Sequence, residues 1–194
     1  GGFDEDYLVQ NRLLPVLAWQ NDGCKTELPI KDRSYEISNG RELRLLSYLV
    51  RKGNTFNGKQ IILKGNIDLE NKPWLPIGGY DESRGYAFLG TFDGRGYVIR
   101  NMLSVETENN HSGLFGRVYG GTIKNVGLEN SVSIAKQNAG GLIANMEKGS
   151  KLQNSYTTAT VYGNSMVGGL TATLGGPDCL IENCYNVGLI SAQY

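Results

Sequence analysis

Short alternations of apolar and polar residues, punctuated by glycine and asparagine, run through most of this chain. In Thr122-Ile123-Lys124-Asn125 apolar and polar positions alternate, as a strand with one buried face requires. Val98-Ile99-Arg100-Asn101, Lys151-Leu152-Gln153-Asn154 and Leu180-Ile181-Glu182-Asn183 have the same form. The asparagines that close them are spaced by 24, 29 and 29 residues. Three Gly-Leu segments, Gly113-Leu114-Phe115-Gly116, Gly141-Leu142-Ile143-Ala144 and Gly169-Leu170-Thr171-Ala172, begin at a constant step of 28. Val132, Val161 and Ile190 lie seven residues after the last three asparagines. A fixed period of this length marks a repeat architecture. No amphipathic helix fits between the markers. A unit of about 28 residues built of short strands cannot bury its own apolar face, but stacked units can, each strand pairing in parallel with the next at about 4.8 Å. The pattern therefore predicts a mainly β chain, a parallel β-helix (β-solenoid). Ile99, Ile123, Leu152 and Ile181 are expected as one inward aliphatic ladder. Asn101, Asn125, Asn154 and Asn183 are expected as an amide ladder bonding its neighbours or the turn backbone. One residue before each asparagine, Arg100, Lys124, Gln153 and Glu182 should form an outward row.

One segment breaks the β pattern. Leu43, Leu46, Leu49 and Val50 recur at helical spacing, which predicts a helix from Gly40 to Lys52. Asn39 precedes it and Glu42 is its third residue, a capping-box arrangement with asparagine in place of serine or threonine. Arg51 and Lys52 suit the negative end of the helix dipole, and Gly53 supplies the stop. A solenoid must cover its first coil, so this helix is expected to be an N-terminal cap. Ile61-Ile62-Leu63 and Ile67-Asp68-Leu69 read as strands. Lys72-Pro73-Trp74-Leu75-Pro76-Ile77-Gly78 reads as a corner with an aromatic plug. Gly90-Thr91-Phe92-Asp93-Gly94-Arg95-Gly96-Tyr97-Val98-Ile99 reads as strand, tight Asp-Gly turn, strand.

The organisation expected is a repeat domain over residues 35–194, preceded by a segment 1–34 that does not match the repeat. That segment carries Leu8, Leu13, Leu14, Val16, Leu17 and Trp19, enough apolar mass to serve as a further cap or as the remnant of a preceding domain. A further step of 28 from Gly169 falls past Tyr194, so the last coil is expected to be incomplete, which favours end-to-end association or a flanking domain there.

Composition narrows the function classes. Lysine plus arginine number 19 and acidic residues 19, a formal net charge of zero. That argues against a nucleic-acid partner, which needs a basic excess or patch, and removes any global attraction to an anionic membrane. No apolar run approaches the roughly 18 residues of a membrane span. The 27 glycines are accompanied by only five prolines and recur in register, so they read as turn and packing positions. The cysteines are Cys24, Cys179 and Cys184. If the last two flank one strand, steps of roughly 3.3 Å hold them beyond the disulfide limit; they are expected as small packing residues.

The chemistry-bearing residues are sparse. The one histidine, His111, sits in the polar stretch Glu108-Asn109-Asn110-His111-Ser112 and is expected on a surface loop. No metal, cofactor or catalytic constellation is expected: a single histidine does not make a zinc site, and no nucleophile elbow occurs. The outward row Arg100, Lys124, Gln153 and Glu182 mixes signs, unlike the carboxylate pair of a glycosidase. Asp68 and Asp93 are expected to bond turn backbone. Tyr156 and Tyr185 share a register two residues after Asn154 and Asn183. Stacked on adjacent coils, they are either an aromatic strip for sugar rings or a packing stack in a corner or the core.

The set Ile67-Asp68-Leu69, Trp74-Leu75-Pro76-Ile77-Gly78, Gly90-Thr91-Phe92-Asp93-Gly94-Arg95-Gly96-Tyr97 and Gly113-Leu114-Phe115-Gly116 resembles GLUG-motif repeat proteins. These are bacterial surface and secreted proteins that include adhesin-like proteins and non-catalytic parts of some immunoglobulin A peptidases. The resemblance covers roughly residues 36 to 194. Ala144 and Ala172 depart from it in place of the second glycine, which puts the shape of those turns in question. The resemblance implies a right-handed parallel β-helix outside the cell or on its surface, and it brings no catalytic residues. The expectation is a non-catalytic adhesion or interaction module for a surface glycan or protein, with Tyr156 and Tyr185 as candidate binding residues. A carbohydrate-active lyase or hydrolase, or a mechanical spacer, are the alternatives.

Overall fold

The computed structural model describes residues 27–31, 34–80, 85–106 and 111–193. Cys24 and the apolar residues between Leu8 and Trp19 lie outside them. Of the 1–34 segment, Ile30–Lys31 forms a strand antiparallel to Ser34–Ile37.

The chain is mostly β and winds as a parallel solenoid of about five turns. The first sheet runs, in spatial order, Ile30–Lys31, Ser34–Ile37, Gln60–Leu63, Thr91–Asp93, Thr122–Lys124, Lys151–Gln153 and Leu180–Glu182. The second holds Ile67–Asp68, Val98–Arg100, Gly127–Glu129, Tyr156–Thr157 and Tyr185–Asn186. The third holds Leu103–Glu106, Val132–Ala135, Thr160–Gly163 and Ile190–Ala192. A fourth contains His111–Ser112, Asn138–Gly140 and Met166–Gly168, and a fifth Phe115–Tyr119, Ile143–Glu147 and Thr171–Gly175. One full turn visits the five sheets in succession before returning to the first.

This path corrects three readings of the repeat. Ile99 belongs to the second sheet, level with Ile67 and Leu128, while the first-sheet ladder runs Phe92, Ile123, Leu152, Ile181. Arg100 likewise stands beside Asp68 and Glu129, and the outward row of the first sheet is Asp93, Lys124, Gln153, Glu182. The 24-residue interval after Asn101 is the trace of this: it joins two different corners of the coil. Asn125, Asn154 and Asn183 do form a ladder. Asn183 Nδ2 donates to Asn154 Oδ1 at 3.2 Å, Asn154 Nδ2 to Asn125 Oδ1 at 3.2 Å, and Asn125 Nδ2 to Asp93 Oδ1 at 2.9 Å. All three adopt left-handed φ of 54°, 48° and 52°, a conformation asparagine tolerates better than other side chains. Asn101, at φ 57°, bonds Asp68 in the other corner at 2.9 Å.

The third marker is also out of step. Val132 pairs with Thr160, and Ser133 with Val161. From Leu128 to Val132 the coil spends one residue more than from Thr157 to Thr160, its partners on the next coil. Val132 is therefore outward and half-buried, while Val161 is fully buried. The segment around Asp93-Gly94 is no hairpin. Thr91–Asp93 and Val98–Arg100 flank a corner and pair with different neighbours, and Asp93 Oδ1 accepts from Arg95 N–H at 2.9 Å.

The Gly-Leu segments lie where the fourth sheet passes into the fifth. A Cβ on Gly140 would stand 1.9 Å from the Ile143 carbonyl oxygen, and one on Gly168 2.0 Å from that of Thr171, so neither site admits a side chain. Gly116, Ala144 and Ala172 all lie within strands, so the departure from glycine leaves the turns alone. Gly116 is required for another reason: its Cβ would meet the Gly78 carbonyl oxygen at 2.4 Å.

The helix spans Gly40–Arg51. Asn39 Oδ1 accepts from Glu42 N–H at 3.0 Å, and the Glu42 carboxylate accepts from Ser38 N–H at 2.6 Å. Leu43, Leu46 and Val50 are fully buried, with Leu45 beside them. Ser47 Oγ donates to the Leu75 carbonyl at 2.8 Å, and Arg44 to those of Pro73 and Leu69 at 2.7 and 3.1 Å. Trp74 is 2% exposed and its indole N–H donates to Leu114 O at 3.2 Å. Phe56, Phe88, Phe92 and Phe115 fill the leading half of the core, with Phe88–Phe115 and Phe92–Phe115 centroids both 5.4 Å apart.

Candidate functional site

Tyr156 and Tyr185 pair in register on the second sheet, below Gly127 and Val98 in the same column. Their rings stack with centroids 5.2 Å apart and planes 8° from parallel, a spacing set by the strand separation of the coils. Tyr156 is half-buried and Tyr185 is 56% exposed, so the stack stands on the outside of the solenoid and not in its core. The missing Cβ of Gly127 makes this possible: an added one would lie 2.6 Å from Tyr156 Cζ. The Tyr156 ring thus rests on the Gly127 backbone, and its hydroxyl reaches Glu129 on the preceding coil at 2.6 Å. Arg100 Nε donates to the other oxygen of Glu129 at 2.9 Å.

This arrangement fixes the protonation states. The Tyr156 hydrogen bond and then Arg100 hold the Glu129 carboxyl below its ordinary value. The bond to Glu129, followed by burial, pushes the Tyr156 phenol up to about 12. One face of Tyr156 is covered by Gly127 and the other by Tyr185, so what the pair offers is the outer face of Tyr185 and the ring edges.

The remaining acids of the corners are structural. Asp68 accepts from Glu70 N–H at 2.7 Å and from Asn101 at 2.9 Å, and these bonds hold it below the usual range. Burial alone would raise Asp93, but Asn125, the Arg95 N–H and Lys124 outweigh it and the net direction is down. His111 is not on an exposed loop: it is 8% exposed, and its Nε2 lies 2.9 Å from Asn138 Nδ2. Cys179 and Cys184 are free thiols packed against the core, the latter with its pKa raised by burial. Among the described residues no cluster of three or more His, Cys, Asp or Glu could hold a metal, and no helix is long and apolar enough to cross a membrane.

No family model matches the chain. It is similar to a curated protein over part of its length and to a solved structure. Halomucin of Haloquadratum walsbyi (strain DSM 16790 / HBSQ001) is 41% identical over 88 residues, 45% of this chain and 1% of halomucin. The crystal structure of a "putative immunoglobulin A1 protease" from Bacteroides ovatus superposes with a TM-score of 0.59 at 21% identity, over 84% of this chain and 59% of that one. The structural likeness carries the solenoid fold. Neither likeness shows the GLUG motif itself.

Two features of the coil escaped the sequence. Ser104, Ser112 and Ser133 form a hydroxyl cluster inside the solenoid, Ser112 Oγ lying 2.9 Å from Ser104 Oγ and 2.8 Å from Ser133 Oγ. The apolar–polar alternation in Leu103-Ser104-Val105 and Val132-Ser133-Ile134 taken by itself favours the opposite face. On the outer face of the fifth sheet, Arg117 forks onto Glu147 at 3.0 and 2.8 Å. Asn145 donates to the same carboxylate at 2.7 Å, and Thr173 to Asn145 at 2.9 Å. The signal for this row was available: positions 117, 145 and 173 keep the 28-residue step.

Proposed function

We propose that this chain is a non-catalytic interaction module of a surface or secreted protein, a right-handed β-helix whose leading end is capped by Gly40–Arg51 and whose outer face meets a glycan or protein. The observation that carries the reading is the outward stack of Tyr156 and Tyr185, held in place by Glu129 and Arg100. A rigid, half-wet aromatic pair is a contact surface with little conformational freedom to lose. The carboxylates of the outer rows are tied to amides and cations, which disfavours a glycosidase pair. The extracellular setting is supported by the likeness to halomucin and to the Bacteroides ovatus protein, and by the resemblance to GLUG-motif proteins.

The test is a glycan and surface-protein array probed with the chain, its Tyr156→Ala variant and its Tyr185→Ala variant. Binding lost in both variants supports the reading. Undiminished binding in both removes the stack from the site. Turnover on a polysaccharide panel overturns the non-catalytic assignment.

A further inference from the structure

Several polar side chains of the outer surface have partners on the neighbouring coil: Lys64 with Glu36, Lys124 with Asp93, Arg100 with Glu129, Arg117 with Glu147, Gln153 with Glu182. Beside the third sheet a group of polar side chains does not. A cleft of about 290 Å³ opens beside the third sheet, where its strands turn toward the fourth. Ile134, Tyr162 and Ser191 stand in one outward column, in register on three successive coils. Lys136, Asn164 and Gln193 follow them on the turns, and Glu106, a residue only 3% exposed, also borders the cleft. Ala135 and Gly163 occupy the Glu106 register on the next two coils.

Among the described residues, the side chains of Lys136, Tyr162, Asn164, Ser191 and Gln193 have no hydrogen bond or ion pair. The turn backbones that carry two of them are nonetheless fixed: Asn164 N–H donates to Lys136 O at 3.3 Å, and Gln193 N–H to Gly163 O at 2.9 Å. Tyr162 is 39% exposed. The Tyr162 ring, in register with Ile134, is therefore accompanied in the cleft lining by two amides, a hydroxyl and an ammonium, all with unused bonding capacity and carried by the stacked strands and the turns that follow them.

We infer that this cleft is a binding subsite for an uncharged pyranose unit of a glycan. The chemistry selects that class. A pyranose presents an apolar C–H face, which suits the electron-rich face of the Tyr162 ring. It also presents hydroxyls that both donate and accept, which Asn164 and Gln193 match from either end of their amides. Lys136 and Glu106 bring one positive and one negative charge, so the lining is formally neutral and offers an acidic sugar no net attraction. Small-ligand sites combine an apolar wall with a few convergent polar groups in this way. The subsite is independent of Tyr156 and Tyr185, which belong to the second sheet.

The experiment is saturation-transfer NMR on the whole chain with the methyl pyranosides of glucose, galactose, mannose, N-acetylglucosamine and glucuronic acid. Tyr162→Ala, Asn164→Ala and Tyr185→Ala are compared at equal thermal midpoint; all three positions are exposed, so the fold should survive. Expected is transfer to at least one neutral glycoside, with affinity falling tenfold or more in Tyr162→Ala and in Asn164→Ala and unchanged in Tyr185→Ala. No transfer to any neutral glycoside overturns the proposal. So does binding that survives Tyr162→Ala, or tenfold preference for the glucuronide. Loss in Tyr185→Ala alone would assign the sugar to the tyrosine stack instead.

Discussion

The Tyr156 hydroxyl donates a 2.6 Å hydrogen bond to Glu129, a residue 27 positions earlier and one coil away. Nothing in the local sequence links the two. The solenoid brings them together because Gly127, level with Tyr156, leaves its ring a place to lie. That contact ties the candidate aromatic surface to the preceding coil, so the stack should behave as part of the fold in stability measurements and as a surface in binding ones.

Its protonation should be visible. The Tyr156 phenol is raised to about 12 in the fold, against about 10 for an unfolded tyrosine. A pKa raised on folding means that the stabilisation is complete below pH ~10 and is lost as pH climbs through the folded value. Ultraviolet titration should show one phenolate appearing near pH 12, absent in Tyr156→Phe and shifted to lower pH in Glu129→Gln. An unchanged titration in Glu129→Gln would break the link.

Two glycines should respond differently to alanine. At Gly127 the added Cβ meets a ring that can swing away, so Gly127→Ala should destabilise by about 1–3 kcal/mol and release the stack. At Gly140 it meets the Ile143 carbonyl at 1.9 Å, and backbone cannot swing. Gly140→Ala should lower the urea midpoint further than Gly127→Ala, and the reverse order would contradict the packing described.

The asparagine ladder makes a test of conformation against hydrogen bonding. Asn154 sits at φ 48° and bonds Asn125 and Asn183. Alanine loses both bonds and adds left-handed strain of about 1–2 kcal/mol. Glycine loses the bonds without that strain. Chemical denaturation should therefore rank Asn154→Gly above Asn154→Ala.

Acid should loosen the same corner. Asp93 is held below its ordinary value in the fold, so its contribution is present above an unfolded carboxyl of about 3.9 and disappears as pH falls through the folded value. Asp93→Asn should flatten the fall of the thermal midpoint below pH ~4. A midpoint that still drops as steeply would place the acid sensitivity elsewhere.

Inside the coil, Ser112 Oγ serves Ser104 and Ser133 and accepts from Ile134 N–H at 3.1 Å. Ser112→Ala leaves these groups short of a partner away from water, at a cost of roughly 1–3 kcal/mol. Ser133→Val copies Val161 from the next coil but takes the Ser133 hydroxyl away from Ser112 and from the Gly140 carbonyl, so thermal melting should show it destabilised as well.

The sequence by itself determined the architecture. A constant step between Gly-Leu segments forces equal coils, and the alternation around Ile123, Leu152 and Ile181 gives strands with one buried face. Asn39 with Glu42 set the start of the helix, because capping is local. What it could not determine was which corner of the coil each copy of a motif occupies. Ile99-Arg100-Asn101 has the same form as Ile123-Lys124-Asn125, yet one residue more or less between corners moves a side chain to the other face, and only the parallel pairing across coils shows where the extra residue falls. The same holds for the candidate sites. The shared register of Tyr156 and Tyr185 is legible in the period, but their outward position, the seat on Gly127, the bond to Glu129 and the cleft around Tyr162 arise between coils, where residues distant in the chain meet at the spacing of a β-sheet.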